Sequence, residues 1–318
     1  MHRLHPALLY FLLLVPLAGQ NREILAELKI GIIGESQEAA IYQAAHLGAQ
    51  DAARELSEKY SIDVELIVAT PNLTRGENQS TALAELYLEG ADGLMISPNP
   101  DDFTVSSLEF AAENGMEILY FERELPSPRP LAAVLPDERA AGRLAGEAMR
   151  KALPKGARAA ILTAETPEPQ LQARLEAVRA TLGYRRIETV VHSNPSYRGA
   201  MRRIAEAEAD DHDQLIKGWV FLEDWPLQGM PTLPWKPGSK PVVAIQSSPS
   251  AFVYSEQGYL NALVVHAYYQ WGYRGVEILV EKIYRDQPPA DRRILTEPEL
   301  IDWRNFDAYR ENWKVWFK

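Results

Sequence analysis

Acidic residues stand out in this sequence at Glu122-Arg123-Glu124, where they flank an arginine, and again at Glu223-Asp224 before Trp225. A carboxylate pair such as Glu122 with Asp224 has the residue types of a glycosidase acid and nucleophile. Arg123 and Arg174 offer planar, permanently charged donors to vicinal hydroxyls or to a carboxylate, and each can equally serve a surface ion pair. Other chemistries are closed. The chain has no cysteine, which removes disulfides, thiolate catalysis, zinc knuckles and iron–sulfur clusters together. Its six histidines show no metal-ligand spacing, so His266 reads as a hydrogen-bonding or packing residue. There is no Gly-x-Ser-x-Gly elbow, phosphate loop or Gly-x-Gly-x-x-Gly fingerprint. No metal or cofactor is expected.

The elements that must position these residues alternate. Leu28–Ile33, Val64–Ala69, Gly93–Ser97 and Glu117–Phe121 have strand character, separated by helical spacing over Ala39–Tyr60, Asn78–Glu89 and Val105–Asn114. The pattern then restarts, with strands at Arg158–Thr163, Ile187–His192, Ile216–Phe221 and Pro241–Gln246 and helices at Glu138–Ala152, Gln170–Leu182 and Tyr197–Glu208. A helix at Ser250–Gln257, a strand at Leu260–Val265 and a long helix at Tyr268–Tyr284, ended by Pro288 and Pro289, complete the reading, with Asp224–Pro241 as loop. This predicts an α/β protein of two doubly wound parallel-sheet lobes with a ligand cleft between them. The first lobe takes residues 28–134 and 267–289, the second 135–266 and 290–318. The crossings fall near Val134–Asp137, near His266 and Ala267, and near Pro289–Arg293. Ligands of open α/β sheets bind at strand carboxyl ends. That rule points to Gly34–Gln37, Pro98–Asp101, Glu122–Glu124, Ala164–Glu168, Ser193–Tyr197, Glu223–Trp225, Gln246–Ser248 and His266.

A length of 318 residues suits two such lobes. The net charge of -11 argues against a nucleic-acid partner or an anionic membrane surface and directs attention to a small-molecule ligand. Residues 1–19 have the layout of a secretory signal: a basic start, an apolar run from Ala7 to Ala18, then polar residues. The alternatives are a short uncleaved anchor or a buried helix. A soluble, monomeric, periplasmic protein is expected.

Several stretches carry a resemblance to the periplasmic sugar-binding proteins, whose type I fold is shared with lactose-repressor effector domains. Phe121-Glu122-Arg123-Glu124 resembles that family's acid-then-basic pair after the fourth strand, and Pro136–Gly142 its lobe-crossing segment. Glu223–Leu227 is similar to a Trp-Pro-Leu motif of one branch, and Tyr268–Tyr273 to its aromatic segment before the last long helix. The resemblance implies ligand stacking by Tyr42 and Tyr197 and hydrogen bonds from Glu122, Arg123, Arg174 and Asp224, with ordinary packing as the alternative for the tyrosines. Trp225 and Trp271 read as core. Gln246 stands where the family commonly has aspartate, His266 where it commonly has glutamine, and the first loop lacks the usual Asn-Pro-aromatic tip. Losing a carboxylate at Gln246 should leave the site more tolerant of an anionic sugar, although Glu122 and Asp224 can balance both arginines and a neutral sugar is the first expectation. The function implied is capture of a sugar for an ABC-type importer by lobe closure, without catalysis. The alternatives are a sensing accessory of a membrane kinase or chemoreceptor, or a glycoside hydrolase. A repressor is set aside because the residues before the first strand form no basic helix-turn-helix.

Overall fold

A computed structural model describes residues 24–246 and 248–316. The predicted secretory signal at 1–19 lies outside these residues. In chain order the elements are β1 (Glu27–Ile33), α1 (Ala40–Tyr60), β2 (Asp63–Val68), α2 (Gln79–Leu88), β3 (Gly93–Ile96), α3 (Asp102–Glu113), β4 (Glu117–Phe121) and β5 (Ala132–Pro136). Then come α4 (Glu138–Ala152), β6 (Arg158–Ala164), α5 (Pro169–Leu182), β7 (Ile187–Ser193), α6 (Tyr197–Asp210), β8 (Ile216–Phe221), β9 (Val242–Ile245), α7 (Pro249–Glu256) and β10 (Ala262–Val265). The chain finishes with α8 (Tyr268–Arg285), β11 (Arg293–Thr296), β12 (Glu299–Ile301) and α9 (Phe306–Trp316).

The strands form two six-stranded sheets, ordered β11-β5-β4-β3-β1-β2 and β12-β10-β9-β8-β6-β7. All pairings are parallel except β12 against β10. The inner strands β3, β5, β9 and β10 are buried along their whole length, as expected where helices cover both faces. Edge strand β2 is largely uncovered.

The two sheets repeat one plan, and the chain passes between them three times. The first passage is at Asp137, whose carboxylate caps α4 through the Ala140 N–H at 2.8 Å. The second is at His266 and Ala267. The third differs from expectation. Arg293–Thr296, assigned by sequence to the second lobe, pairs in parallel with β5 of the first sheet, so the crossing lies at 297–298 rather than at Pro289–Arg293. Four short or late elements, β5, β11, β12 and α9, were not read from the sequence. Each strand among them is five residues or fewer, too short to show a period. Helix α9 brings Tyr309 and Trp313 against Phe252 of α7.

Each lobe holds its principal helix pair close by means of glycine. A methyl group on Gly272 of α8 would land on the Ala45 carbonyl of α1, and one on Gly48 of α1 on the Tyr269 carbonyl of α8. In the second lobe a methyl on Gly142 of α4 would strike the carbonyl of Arg174 in α5. Backbone cannot yield as a side-chain tip can. Gly272→Ala and Gly142→Ala should each cost about 1–3 kcal/mol in urea denaturation, by overpacking. Unchanged midpoints would show that the helices slide freely.

Candidate functional site

The carboxyl ends of both sheets face a cleft of about 590 Å³. That size falls in the usual range for small-molecule sites. A larger hollow of about 780 Å³ lies instead at the amino ends of β3 and β4, beside Asp92 and Glu117, away from the ends where such folds bind. Of the residues expected from sequence, Tyr42, Glu122, Arg123, Arg174, Gln246 and His266 line the cleft.

Glu122 and Gln246 occupy equivalent places in the two lobes. Each directly follows the fourth strand of its sheet, with φ of 65° and 72° in the left-handed region that side chains other than glycine disfavour. Each donates its backbone N–H to the neighbouring strand, Glu122 to Val134 at 3.0 Å and Gln246 to Val264 at 2.7 Å. The same strained turn, made twice, brings a polar side chain into the cleft wall from either side.

In the first lobe Glu122 Oε2 accepts from Tyr42 Oη and from Ser97 Oγ, both at 2.6 Å. Arg123 Nη2 donates to Glu35 Oε2 at 2.8 Å and lies 3.7 Å from Glu122 Oε1. Tyr42 is 2% exposed, with its ring edge-on to Phe121. Its role is to hold Glu122, not to offer the expected stacking face. Burial and the adjacent Glu122 push its phenol well above the usual range.

In the second lobe Arg174 is 4% exposed, and all five of its N–H groups have acceptors. Nε and Nη2 form a fork on the Glu138 carboxylate, the Nη2 bond to Oε1 being 2.9 Å. Nη1 donates to the Leu222 carbonyl at 2.8 Å and to Glu223, and Nη2 also reaches His266 Nε2 at 3.1 Å. Arg174 therefore has no donor left for a ligand, contrary to the expectation from sequence. It presents Glu138, Glu223 and His266 instead.

Two expected residues stand elsewhere. Tyr197 packs its ring on Gly229 and donates to the Met230 carbonyl at 3.2 Å, outside the cleft. Asp224 is 1% exposed, lies behind the cleft wall and accepts from Gln228 Nε2 at 3.0 Å. Trp225 and Trp271, read as core, both line the cleft. Trp271 is also buried, as that reading required, and stacks on His266 with ring centres 6.1 Å apart. Glu35, Glu138, Glu165 and Glu168 complete the acidic lining. Three of these fall in the strand-end stretches that sequence singled out; Glu138, the first residue of α4, does not.

Burial sets the protonation of the inner wall. It pulls His266 from its ordinary 6.5 to about 4, and His46, beside Thr70, to about 4 as well. Burial, reinforced by Asp224 and Glu138, raises Glu223 to about 7 against the pull of Arg174. At Glu138 burial also opposes ionisation, but Arg174 prevails and holds the carboxyl below its usual value.

Residues 30–285 match the periplasmic binding protein domain family. No curated protein sequence matches at a significant level. Among solved structures, a periplasmic ribose ABC transporter protein from Conexibacter woesei DSM 14684 is similar, with a TM-score of 0.78 at 18% identity, covering 91% of this chain and 96% of that one. The arabinose-binding protein AraP from Geobacillus stearothermophilus gives 0.75 at 16% identity, covering 89% and 99%. A protein from Bacteroides fragilis described as a LacI transcriptional regulator gives 0.69 at 12% identity, covering 89% and 99%. Identities this low establish the shared two-lobed α/β fold.

Two outcomes follow from the inner wall. Arg174→Ala leaves Glu138 and Glu223 without their cation and should cost about 3–5 kcal/mol in chemical denaturation, with Lys restoring only part because it lacks the fork. A cost within 1 kcal/mol would show that the carboxylates find other partners. The second outcome concerns pH. A histidine at 6.5 when unfolded and about 4 when folded contributes stability that is fully present above 6.5 and lost as pH falls through 4. Glu223 has the opposite sign, its contribution present below 4.5 and lost as pH rises through about 7. His266→Gln should therefore remove up to about 3 kcal/mol of the acid-side loss, since a tenfold difference in proton affinity is worth about 1.4 kcal/mol. Parallel stability curves for wild type and variant would contradict it.

Proposed function

The chain belongs to the periplasmic binding protein domain family, a family of solute-binding rather than catalytic proteins, and we propose that it captures a small hydroxylated solute, a sugar or sugar-like compound, by closing its two lobes. The observation that carries this reading is the cleft itself. It lies where strand ends of both sheets meet, with charged and amide groups beside the indole of Trp225. Hydroxyls need paired donors and acceptors, and the apolar faces of a sugar ring pack on indole. Similar structures named for ribose and arabinose support a monosaccharide. Capture on the far side of the cytoplasmic membrane, followed by delivery to the permease of an ABC-type importer, is the role that such a protein serves. Among the described residues no helix is long and apolar enough to cross a membrane.

Of the two arginines, only Arg123 has donors left to offer. One Nη2 bond to Glu35 and a side chain 26% exposed leave its remaining N–H groups free to turn to a ligand. A hydrogen bond from a charged donor is worth about 1.5–3 kcal/mol, so Arg123→Ala should weaken binding tenfold or more in calorimetric titration with the best ligand of a monosaccharide screen. Small-angle scattering on the same protein should show the radius of gyration falling when that ligand is added. Unchanged affinity together with unchanged dimensions would remove both the site and the closure.

A further inference from the structure

Charge in the cleft is unbalanced. Glu35, Glu122, Glu138, Glu165, Glu168 and Glu223 line it, against Arg123 and Arg174. The charge of each arginine is already paired with two of these acids, Arg123 with Glu35 and Glu122, Arg174 with Glu138 and Glu223, although Arg123 keeps N–H groups to donate. Glu165 and Glu168, on the loop between β6 and α5, are exposed and make no close ion pair among the described residues, although the charge of Glu168 is felt by Arg123 of the first lobe. Glu35 and Glu122 belong to the first lobe, the other four acids to the second. Closing the cleft would therefore draw acid toward acid while stripping water from both, which is unfavourable unless a positive charge enters between them. This runs against the anionic sugar that the Gln246 substitution suggested from sequence. One carboxylate fewer at that position is outweighed by the acids of the two strand-end loops and of α4.

A second feature asks for a ligand independently. His266 lies in the cleft wall and is 4% exposed, and its Nδ1 is buried with no hydrogen-bond partner. Its Nε2 faces Arg174 Nη2, which can only donate, so Nε2 accepts and the proton resides on Nδ1. A buried N–H without an acceptor is destabilising, a penalty that a ligand oxygen would relieve.

Resting on the solute-binding reading above, we propose that the ligand is a hydroxylated amine, an amino sugar or a closely related amino polyol. A hydroxyl oxygen accepts from His266 Nδ1, and the ammonium group sits among the carboxylates that close around it. Glu223, raised to about 7 in the absence of such a charge, would ionise when the ammonium arrives, so binding near neutral pH releases protons.

The test is calorimetric titration of the whole protein with D-glucosamine and D-galactosamine, their neutral parents D-glucose and D-galactose, the N-acetyl derivatives, and D-glucuronate and D-galacturonate. At least one amino sugar should bind tenfold or more tighter than both its neutral parent and its N-acetyl derivative, with proton release at pH 7 visible on changing buffer, and the uronates should bind most weakly. The double variant Glu165→Gln, Glu168→Gln should shrink the ratio of amine to neutral-parent affinity at least threefold, and an unchanged ratio would overturn the role of these two acids in holding the ammonium. A neutral or acidic sugar that binds as well as its amine overturns the ammonium site and leaves sugar capture standing. No binding by any of these compounds overturns sugar capture itself, and the amine proposal with it.

Discussion

One buried guanidinium organises the second lobe's half of the cleft. Arg174 reaches the site from α5, where Gly142 lets α4 come close enough for its own first residue, Glu138, to meet the guanidinium fork. Removing a cation from water is costly, and in this interior the cost is met only because five acceptors from four residues converge on it. Those partners come from α4, the end of β8 and the end of β10, elements distant in sequence. Once their atoms are fixed, the positions of Glu138, Glu223 and His266 in the wall are fixed too. The arginine sets groups of the cleft wall while its own donors are spent on them.

The first lobe solves the equivalent problem with neutral donors. Glu122 is held by hydroxyls from Tyr42 and Ser97, and its strained turn is shared with Gln246 across the cleft. Strain of this kind persists only where the surroundings over-determine it, which here means a ladder bond to the next strand in either lobe. The symmetry is one of backbone. The side chains delivered differ, a carboxylate on one side and an amide on the other, so the chemistry of the site is asymmetric although its scaffold repeats.

How far the sequence disclosed this depends on the range of each signal. Strands such as Ile216–Phe221 and helices such as Tyr268–Arg285 announce themselves by local apolar pattern, and the restart of that pattern was enough to give two lobes. The strand-end rule then located Glu122, Arg123, Gln246 and His266 in the cleft without any contact being known. It could not say which way a side chain turns. Tyr197 begins α6 at a strand end, yet its ring settles on Gly229 of a loop more than thirty residues on. Arg174 has the residue type of a ligand donor, and only the meeting of α4, α5, β8 and β10 shows that its donors are spent. Strand β11 was misplaced for a similar reason: four residues after a proline pair show no period, and only their ladder with β5 assigns them to the first sheet.

The three chain passages between the lobes are not independent springs. Thr296, at the third, accepts from Trp271 Nε1 at 3.1 Å and donates to the Leu135 carbonyl at 3.2 Å, while its own carbonyl receives the Asp137 N–H at 3.0 Å. Leu135 and Asp137 lie at the first passage, and Trp271 lies in the first turn of the helix that follows the second. Arg174 adds a further tie by binding both Glu138 and His266, one residue beyond the first passage and one at the second. A rotation of the lobes must turn about this hydrogen-bonded knot, and the inner wall of the cleft is part of it. A solute that engages His266 therefore acts at the pivot, where small displacements accompany large movements of the rim, whereas Glu165 and Glu168 sit on a loop that sweeps inward as the lobes close. On the proposed reading, recognition at the pivot would select the hydroxylated core of a ligand before closure. The charged rim would act afterwards, and it would favour the closed state in proportion to the positive charge the ligand carried in.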